Sequence, residues 1–404
     1  MKLVIVIGGG AAGFFAAVTS VEKDSSNKVL LFEKAASVLG KVKISGGGRC
    51  NVTHACFDPE TLSENYPRGK KELKGLFYKF DPSDTINWFE SKGVKLKIEN
   101  DNRVFPVSDS SQTIIDCLLD SARSKNIDVL THHPVIDILP PATPLDKWSV
   151  ITKLNERFYA DKVIVTSGSS YSVWDILKKL GHTIISPVPS LFTFVIDDKL
   201  LNELQGISVE HVEISTDDKK LFSRGPLLIT HKGISGPAVL KLSAFGARVF
   251  NEPNYDFQIK VNWLPRQNLQ TINNLLREYR SVHLTKHVLT NPFPGIPRRL
   301  WKRILELNGV EINNKWNSVS NEKVSGVSQL LTETKLNVTG RNTNKEEFVT
   351  AGGVKLEEVD FRDMQSRLHK GLYFAGEVLD IDGLTGGYNF QAAWTTGYIA
   401  GSSI

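Results

Sequence analysis

The hydrophobic pattern at the start of the chain predicts a strand, a helix and a second strand. Residues 1–7 contain a short apolar run typical of a buried parallel strand, and residues 28–32 form another. Residues 14–21 form the apolar stretch of a helix between them. A glycine-rich turn over residues 8–13 precedes the helix, and the second strand ends on Glu33.

The glycines of this turn have the G-x-G-x-x-G spacing of a dinucleotide-binding site. Gly8 lets the chain turn off the strand, Gly10 lets a pyrophosphate approach the backbone, and Gly13 lets the helix pack close to the sheet. The helix N-terminus presents unpaired N–H groups to the phosphates. Glu33 would accept hydrogen bonds from ribose hydroxyls and repel a 2'-phosphate, which favours FAD or NAD over NADP. The alternative is a chance glycine turn, and the agreement of strand, helix, spacing and acid argues against it.

Alternating helical and strand patterns continue to about residue 189. We predict a loop over 35–43 and an amphipathic helix over 68–79. Asp81 and Pro82 open another helix that reaches Gly93. The remaining predicted elements are strands over 94–98, 103–105, 127–131 and 135–139, a helix over 108–124, and a hairpin of 148–154 with 157–165.

The pattern changes at Pro187 and Pro189, where an inserted domain is predicted to begin. It mixes strands with helices and contains no second G-x-G-x-x-G, so no separate nicotinamide-binding domain is expected. We predict an FAD-binding domain over 1–188 and 346–404, and a substrate or partner domain over 189–345. The predicted insert elements are strands over 191–196, 211–215, 226–230 and 255–263, and helices over 267–279, 298–307 and 324–331.

Two further glycine-rich segments are candidates for the walls of the same site. Residues 44–53 contain three consecutive glycines beside basic and short hydrogen-bonding side chains, so this segment is either a second wall for the cofactor or a flexible surface loop. Near the C-terminus, a strand ending in Gly376-Glu377 is followed by a helix that starts at Gly386 and runs to Ile399, with Gly401 beyond it. Its N-terminus would stabilise negative charge on a bound flavin, or the helix would serve only to dock the C-terminus.

Three other features have two interpretations each. His231, in a glycine-rich turn before a helix from Ala238, is either a general acid or a turn residue without chemistry. Cys50 fits a small buried thiol better than a redox centre, because its spacing to Cys56 is not C-x-x-C. The basic face of the predicted helix over 298–307 is either solvated or an anion site.

Composition limits the compartment and the partners. The chain has 404 residues, a net charge of +5 and three cysteines. These values suggest two domains, give no reason to expect nucleic acid as a partner, and fit a reducing, cytoplasmic location. No stretch approaches ~18 apolar residues, so no membrane span is expected. No metal site is predicted.

Four motifs together resemble the YhiN/BaiN family of FAD-dependent oxidoreductases. They lie over residues 8–13, 44–53, 230–237 and 371–389, and the similarity runs nearly end to end. The resemblance implies an α/β fold: a Rossmann-like FAD/NAD(P)-binding domain in two chain segments, and an inserted α+β domain with a β-barrel-like part. It also implies a non-covalent FAD, with NAD(P)H as the expected electron donor.

The resemblance assigns cofactor-binding residues in three groups. Those for the ADP half are Gly8, Gly10, Ala11, Ala12, Gly13, Glu33 and Lys34. Those that continue the site are Lys41, Ser45, Gly46, Gly47, Gly48, Arg49, Cys50, Asn51, Val135, Thr166 and Gly168. Those for the ribityl chain and ring are Gly376, Glu377, Gly386, Gly387, Tyr388 and Asn389.

We therefore expect a flavoenzyme that transfers a hydride between flavin N5 and a small organic substrate, such as a conjugated enone. The alternative is an FAD-binding protein whose insert recognises a macromolecular partner such as RNA. The sequence names no catalytic acid or base, and it leaves the substrate, the electron donor and the oligomeric state open.

Overall fold

A computed structural model describes residues 1–143, 145–217, 219–290, 292–342 and 349–404. The chain divides into two compact units. The first combines Met1–Pro189 with Lys345–Ile404, and the second is Ser190–Asn344. This division falls one residue from the predicted bounds; the division of chemistry between the units stays a prediction.

The N-terminal segment of the first unit supplies most of its elements. Its strands are β1 (Leu3–Ile7), β2 (Lys28–Phe32), β3 (Thr53–His54), β4 (Leu96–Ile98), β5 (Arg103–Pro106), β6 (Asp128–Leu130), β7 (Val135–Leu139), β8 (Trp148–Thr152), β9 (Arg157–Ala160), β10 (Lys162–Val165) and β11 (Ile184–Ser190). Its helices are α1 (Ala11–Lys23), α2 (Gly40–Gly48), α3 (Pro59–Ser63), α4 (Lys70–Phe77), α5 (Pro82–Ser91), α6 (Ser111–Ser124) and α7 (Tyr171–Lys179).

Local sequence accounts for several of these boundaries. Pro82 occupies the first turn of α5, as predicted. The structure adds a reciprocal capping box formed by the Asp81 and Asp84 side chains. The predicted loop over 35–43 is wrong in its second half, because α2 begins at Gly40. The second arm of the predicted hairpin divides at Asp161: β9 pairs with β8, whereas β10 enters the main sheet.

The inserted unit follows. Its strands are β12 (Thr193–Val195), β13 (Ser208–Thr216), β14 (Phe222–Thr230), β15 (Gly233–Ser235), β16 (Phe257–Asn262), β17 (Thr334–Val338) and β18 (Gly340–Asn342). Its helices are α8 (Pro237–Phe245), α9 (Ala247–Asn251), α10 (Leu269–Val282), α11 (Arg298–Leu307) and α12 (Asn321–Glu333), with a 3₁₀ turn at Trp316–Ser318.

The insert sheet has the order β17-β16-β13-β14-β15-β12-β18 and is antiparallel throughout its described pairs. Its two outer strands, β17 and β18, are separated in sequence by Thr339 alone. Because one residue joins the first strand of this order to the last, the sheet curls back on itself in a barrel-like arrangement. A buried core that includes Phe192, Trp263 and Trp301 fills the unit.

Two predictions within the insert need correction. The segment before α8 is not simply a turn, since Gly233–Ser235 pairs with β12 and β14. A Cβ on Gly233 would stand 2.2 Å from the carbonyl oxygen of Phe194, which explains a glycine there. The basic face of α11 also serves its own unit, because Arg299 and Arg303 bind backbone carbonyls of Glu203 and Asn202.

The C-terminal segment returns to the first unit. It contains β19 (Val349–Val354), β20 (Val359–Asp360), β21 (Gln365–Ser366), β22 (Leu372–Phe374) and α13 (Tyr388–Ser402), with a 3₁₀ turn at Leu356–Glu358. The helix extends past the predicted end at Ile399. Gly397 and Gly401 lie inside it and face α1: their Cβ atoms would stand 2.7 and 2.4 Å from the backbone oxygens of Ala12 and Ala16. These glycines let the two helices pack closely.

The main sheet has the order β20-β21-β22-β10-β1-β2-β6, and its five strands from β22 to β6 are parallel. The chain moves outward from β1 to β2 and β6, and then returns to the other side of β1 with β10. This reversal is the topological switch point at which doubly wound sheets bind their ligands. Of the helices in the described ranges, none is both long and apolar enough to cross a membrane.

Candidate functional site

The carboxyl ends of four parallel strands bring distant parts of the first unit to one edge of the sheet. Gly8 follows β1, Glu33 follows β2, Thr166 follows β10 and Ala375 follows β22. The contacts are direct: a Cβ on Gly8 would stand 2.5 Å from the Thr166 carbonyl oxygen. The predicted residues at these strand ends therefore meet.

The first glycine turn has the geometry that its sequence predicts. Gly8 has a φ of +117°, and a Cβ on Gly13 would stand 2.0 Å from the Gly8 carbonyl oxygen. Only glycine at both positions allows α1 to start this close to β1. Gly10, by contrast, has nothing within 4 Å of its Cβ direction, and α1 has no side-chain cap. The turn thus leaves open space in front of an uncapped helix N-terminus.

Glu33 is held at the entrance of this turn. Its carboxylate accepts hydrogen bonds from the backbone N–H groups of Gly9 (2.9 Å) and Ala35 (2.8 Å). Lys34 beside it is exposed. The segment that leads to Val135 lies next to Glu33, since the His133 N–H donates to the Glu33 carbonyl (2.9 Å). A carboxylate oxygen has two lone pairs, so Glu33 can still accept from a ligand.

The second glycine-rich segment forms a nest of left-handed backbone at the end of α2. Gly46, Gly47 and Gly48 have φ values of +57°, +68° and +84°. The Cβ directions of Gly47 and Gly48 meet nothing within 4 Å. Consecutive glycines of this kind leave backbone N–H groups and space for an anion or a flat ligand.

Side chains of this segment are mostly used within the protein. Ser45 Oγ donates to the Val42 carbonyl (2.9 Å). Arg49 points to Glu99 (2.7 Å) and stacks over Phe105 at 3.9 Å. Cys50 is fully buried, and burial raises the pKa of its thiol to about 12, which favours the structural interpretation of this cysteine. From this segment, a cofactor would meet mainly backbone rather than these side chains.

The segment after Cys50 holds the start of α13. The Asn51 side chain accepts a hydrogen bond from the Gly387 N–H (3.0 Å) and donates to the Thr53 carbonyl (2.9 Å). Thr53 Oγ1 donates to Gln391 Oε1 (2.6 Å), and the Trp394 indole N–H donates to the Val52 carbonyl (2.9 Å). These buried contacts fix the N-terminus of α13, which has Gly387 as an N-cap without a side-chain cap.

His54, Tyr66 and Tyr388 form an aromatic cluster beside this helix start. The His54 ring stacks on Tyr388 with centroids 4.6 Å apart, and its Nδ1 lies 3.1 Å from the Gly386 carbonyl oxygen. The Tyr66 hydroxyl donates to the Tyr388 carbonyl (2.7 Å). Burial lowers the pKa of His54 and raises that of Tyr388. No sequence pattern pointed to a role for His54 or Tyr66.

Other predicted residues hold the loops around the site. The Thr166 hydroxyl donates to the Gly8 carbonyl (2.9 Å). The Asn389 side chain accepts from the Gly383 N–H (2.8 Å) and donates to the Gly383 carbonyl (2.9 Å). Gly376 has a φ of +76°, and its N–H donates to Thr396 Oγ1 (2.9 Å). Thr166, Asn389 and Gly376 therefore fix the loops that surround the candidate site.

Glu377 connects three parts of the chain. Its carboxylate contacts the Lys41 ammonium group and accepts from the Thr350 N–H (3.3 Å). Its Oε2 lies 3.8 Å from the Cβ direction of Gly168. No sequence pattern pointed to Thr350, whose hydroxyl is buried and has no hydrogen-bond partner among the described residues. The sequence signal for this segment is the pair Gly352-Gly353 that follows Thr350. Both glycines have positive φ values in the structure.

The family model described as HI0933-like protein Rossmann domain matches residues 2–403. The chain belongs to this family. It is the family of YhiN/BaiN-type FAD-dependent oxidoreductases, which confirms the resemblance, the Rossmann-like fold class and the prediction of a flavin-dependent enzyme.

Two curated relatives match nearly the whole chain. Ribosomal RNA dihydrouridine synthase of Escherichia coli K12 is 29% identical over 99% of this chain and 97% of that protein. The 3-dehydro-bile acid delta(4,6)-reductase of Clostridium scindens is 27% identical over 99% of this chain and 98% of that protein. Among solved structures, a 3-ketosteroid-delta4-(5alpha)-dehydrogenase from Rhodococcus jostii RHA1 has a TM-score of 0.52 at 12% identity, covering 99% and 96% of the two chains. This last likeness concerns the fold.

The residues present fit FAD. Two uncapped helix N-termini, those of α1 and α13, belong to the same unit as the glycine nest of α2, and Gly10, Gly47 and Gly48 have open space where a Cβ would point. Such N–H groups and open backbone suit a pyrophosphate and a flat ring. Within the described ranges, no group of three or more His, Cys, Asp or Glu side chains is arranged to hold a metal ion.

Proposed function

We propose that this protein is an FAD-dependent reductase that saturates a carbon–carbon double bond conjugated with a carbonyl group. The observation that carries the proposal is the chemistry shared by the two relatives. One is named for making dihydrouridine, which saturates the C5–C6 bond conjugated with a uracil carbonyl. The other is named for reducing a 3-dehydro-bile acid at delta(4,6), which is a dienone.

The residues of the first unit would divide the work of binding the cofactor. The 8–13 turn and the N-terminus of α1 would bind pyrophosphate, and Glu33 would bind ribose hydroxyls. The nest at Gly46, Gly47 and Gly48 and the loop at Gly376 would continue the site. When bound, FAD supplies a hydride from N5 of its reduced ring, with NAD(P)H as the proposed source of electrons.

The N-terminus of α13 would contribute electrostatically. Its free N–H groups stabilise negative charge on a group bound in front of Gly387. The contribution is ~0.3–1 kcal/mol when exposed and up to ~2 kcal/mol when partly buried. This contact would adjust the reduction potential of the bound flavin, and it does not by itself select a substrate. The substrate would then be selected by the inserted unit, Ser190–Asn344.

The test begins with the yellow holoprotein under anaerobic conditions. NADH and NADPH are added separately, and bleaching of the visible flavin band is followed. The reduced protein is then mixed with 4-androstene-3,17-dione, and we expect flavin reoxidation with a product two hydrogens heavier. A protein that is colourless and takes up no FAD, or a reduced protein that neither an enone nor a uridine-containing RNA reoxidises, contradicts the proposal.

The distribution of charge favours ribosomal RNA as a second candidate substrate. Residues 190–344 contain 20 Lys and Arg against 14 Asp and Glu, whereas the rest of the chain contains 29 against 30. The net charges are therefore +6 and −1, so the insert carries the positive charge of the chain. The net charge of the whole chain gave no reason to expect nucleic acid, but an insert of +6 suits a polyanionic partner.

RNA binding has a distinct experimental signature. Binding of a ribosomal RNA fragment should weaken steeply with salt. Replacing the exposed Arg277 and Arg298 with alanine should reduce the salt slope by about one for each phosphate that the protein no longer neutralises. Replacing exposed Lys125 and Lys153 of the first unit is the matched control. Equal effects of the two pairs, or binding without salt dependence, would contradict an RNA role for the insert.

A further inference from the structure

His54 is held in one tautomer at the start of α13. Its Nδ1 lies 3.1 Å from the Gly386 carbonyl oxygen, which can only accept a hydrogen bond, so Nδ1 carries a hydrogen. The other nitrogen, Nε2, is then an acceptor in the neutral ring and a donor only in the protonated ring. The ring is half-buried and cannot turn freely, because one of its faces stacks on Tyr388.

We propose that His54, through Nε2, is the proton donor of the reduction. This inference rests on the proposed reductase function. The hydride forms a C–H bond at the β-carbon as the π bond breaks, and the Nε2 proton forms a C–H bond at the α-carbon. The substrate gains two electrons, the flavin loses two, and water returns a proton to His54.

The neighbouring groups that could hold a transferable proton are less suited. The Tyr66 hydroxyl is buried and already donates to the Tyr388 carbonyl. Cys50 is fully buried. Burial raises the pKa of Cys56 and of Tyr388. Of the groups named here, only His54 is of a residue type whose ordinary pKa lies between pH 5 and 8.

The surroundings of His54 determine the direction of its pH dependence. Burial lowers its pKa, and the hydrogen bond to Gly386 opposes this effect. The charge of Asp101 raises the pKa of His54. Arg103 on β5, which is the register partner of His54, lowers it. Tyr388 stacks on one face of the ring, and Cys56 follows two residues along the chain. Burial raises the pKa of both groups, so neither adds a charge beside His54 between pH 5.5 and 8. The active, protonated form is therefore favoured at acidic pH, and the rate should fall as pH rises through the pKa of His54.

The test uses FAD-loaded protein reduced with dithionite, so that no nucleotide donor is involved. Reoxidation by 2-cyclohexen-1-one is measured from pH 5.5 to 9. The His54→Asn variant keeps a donor for Gly386 but has no titrating nitrogen. We expect it to react about 10²- to 10⁴-fold more slowly at pH 6 and to lose the fall with pH. Tyr388→Phe should keep that fall, and His211→Asn, at an exposed histidine of β13, should match the wild type.

A second readout does not depend on turnover. Long-range ¹H–¹⁵N spectra of histidine-labelled, oxidised holoprotein should contain an Nδ1–H signal that is lost in His54→Asn and titrates at the same pH as the rate. His133, His283 and His287 also place Nδ1 within hydrogen-bond distance of a backbone carbonyl, so the loss in the variant assigns the signal to His54. An active wild type with an equally active His54→Asn, or a His54 titration at another pH, overturns the donor role alone. A wild type that the enone never reoxidises overturns the proposed function together with it.

Discussion

Gly387 lies against Thr53 so closely that a Cβ on Gly387 would stand 2.5 Å from the Thr53 carbonyl oxygen. The same glycine has a φ of +97° and is the N-cap of α13. The contact therefore sets how near the last helix comes to the segment after the second glycine nest. Both sides of this contact belong to the proposed FAD site, so its tightness bears directly on cofactor binding.

Gly387→Ala should weaken FAD retention and stability. The left-handed backbone alone costs about 1–3 kcal/mol for a residue with a Cβ, and the clash with Thr53 must also displace α13. We expect at least a tenfold weaker FAD affinity, measured by flavin fluorescence after dialysis, and a lower melting temperature.

The Gly93→Ala variant separates the cost of the left-handed backbone from the cost of the clash with Thr53. Gly93 has a similar φ of +86°, but nothing lies within 4 Å of its Cβ direction. The Gly93→Ala variant should lose only this backbone cost of about 1–3 kcal/mol and should keep its FAD. Equal FAD affinities for the two variants would show that the contact with Thr53 is unimportant for the cofactor.

Glu33→Ala should also release FAD, for a different reason. The carboxylate orders the turn through Gly9 and Ala35, and in the proposed complex it also accepts from the ribose. Loss of a charged hydrogen-bond acceptor costs ~1.5–3 kcal/mol, which is about a 10- to 150-fold rise in Kd. Titration of apoprotein with FAD measures this, with Glu90→Ala, an exposed glutamate of α5, as the control. Unchanged affinity would mean that Glu33 does not reach the cofactor.

The buried ion pair of Arg68 and Asp382 should be essential for stability. The two side chains are 10% and 0% exposed, and Asp382 lies in the loop that leads to Gly386. Asp382→Asn removes a buried partner charge, so we expect a loss of about 3–5 kcal/mol in urea unfolding. Glu64→Gln, in the exposed pair with Lys70, should change stability by less than about 1 kcal/mol. Similar losses in both variants would contradict this ranking.

Acid should destabilise the protein through His182. The ring is buried, its Nδ1 faces Glu358 Oε2 (3.0 Å) and its Nε2 faces Ser366 Oγ (3.0 Å). Burial lowers the pKa of His182, and the contact with Glu358 only partly opposes this. The unfolded chain therefore binds a proton first, so this contribution to stability is complete above about pH 6.5 and is lost as pH falls below it.

Chemical unfolding at pH 8, 7, 6 and 5.5 measures this slope. His182→Gln, which is less stable overall, should show a shallower fall between pH 7 and 5.5 than the wild type. A single proton accounts for at most about 1.4 kcal/mol per pH unit. Identical slopes would show that His182 keeps its ordinary pKa in the folded protein.

Short sequence patterns predicted the elements whose conformation depends on neighbouring residues in the chain. The G-x-G-x-x-G turn, the strand over 28–32 and the cap at Asp81 each depend on residues within one or two turns of chain, and each is present. The segment with Gly46, Gly47 and Gly48 was predicted to be either a cofactor wall or a flexible surface loop. Its backbone is left-handed at all three glycines, and its role as a binding wall stays a prediction.

Contacts between distant segments could not be predicted in the same way. Thr53 and Gln391 are 338 residues apart, and no periodicity relates them. For the same reason no pattern pointed to His54. Arg49 was predicted to bind the cofactor, but its side chain contacts Glu99 and Phe105 instead. Gly401 was placed outside α13, because its packing against Ala16 is visible only once the two helices cross.

The order of strands in the main sheet has a consequence for biosynthesis. A nascent polypeptide of residues 1–189 contains β1, β2, β6 and β10, whereas β22 and α13 follow only after the inserted unit. The nascent polypeptide then lacks the strand that pairs with β10 and the helix that packs on α1. A polypeptide truncated before β22 therefore lacks part of the proposed flavin site, so such truncation products should be colourless and bound by chaperones.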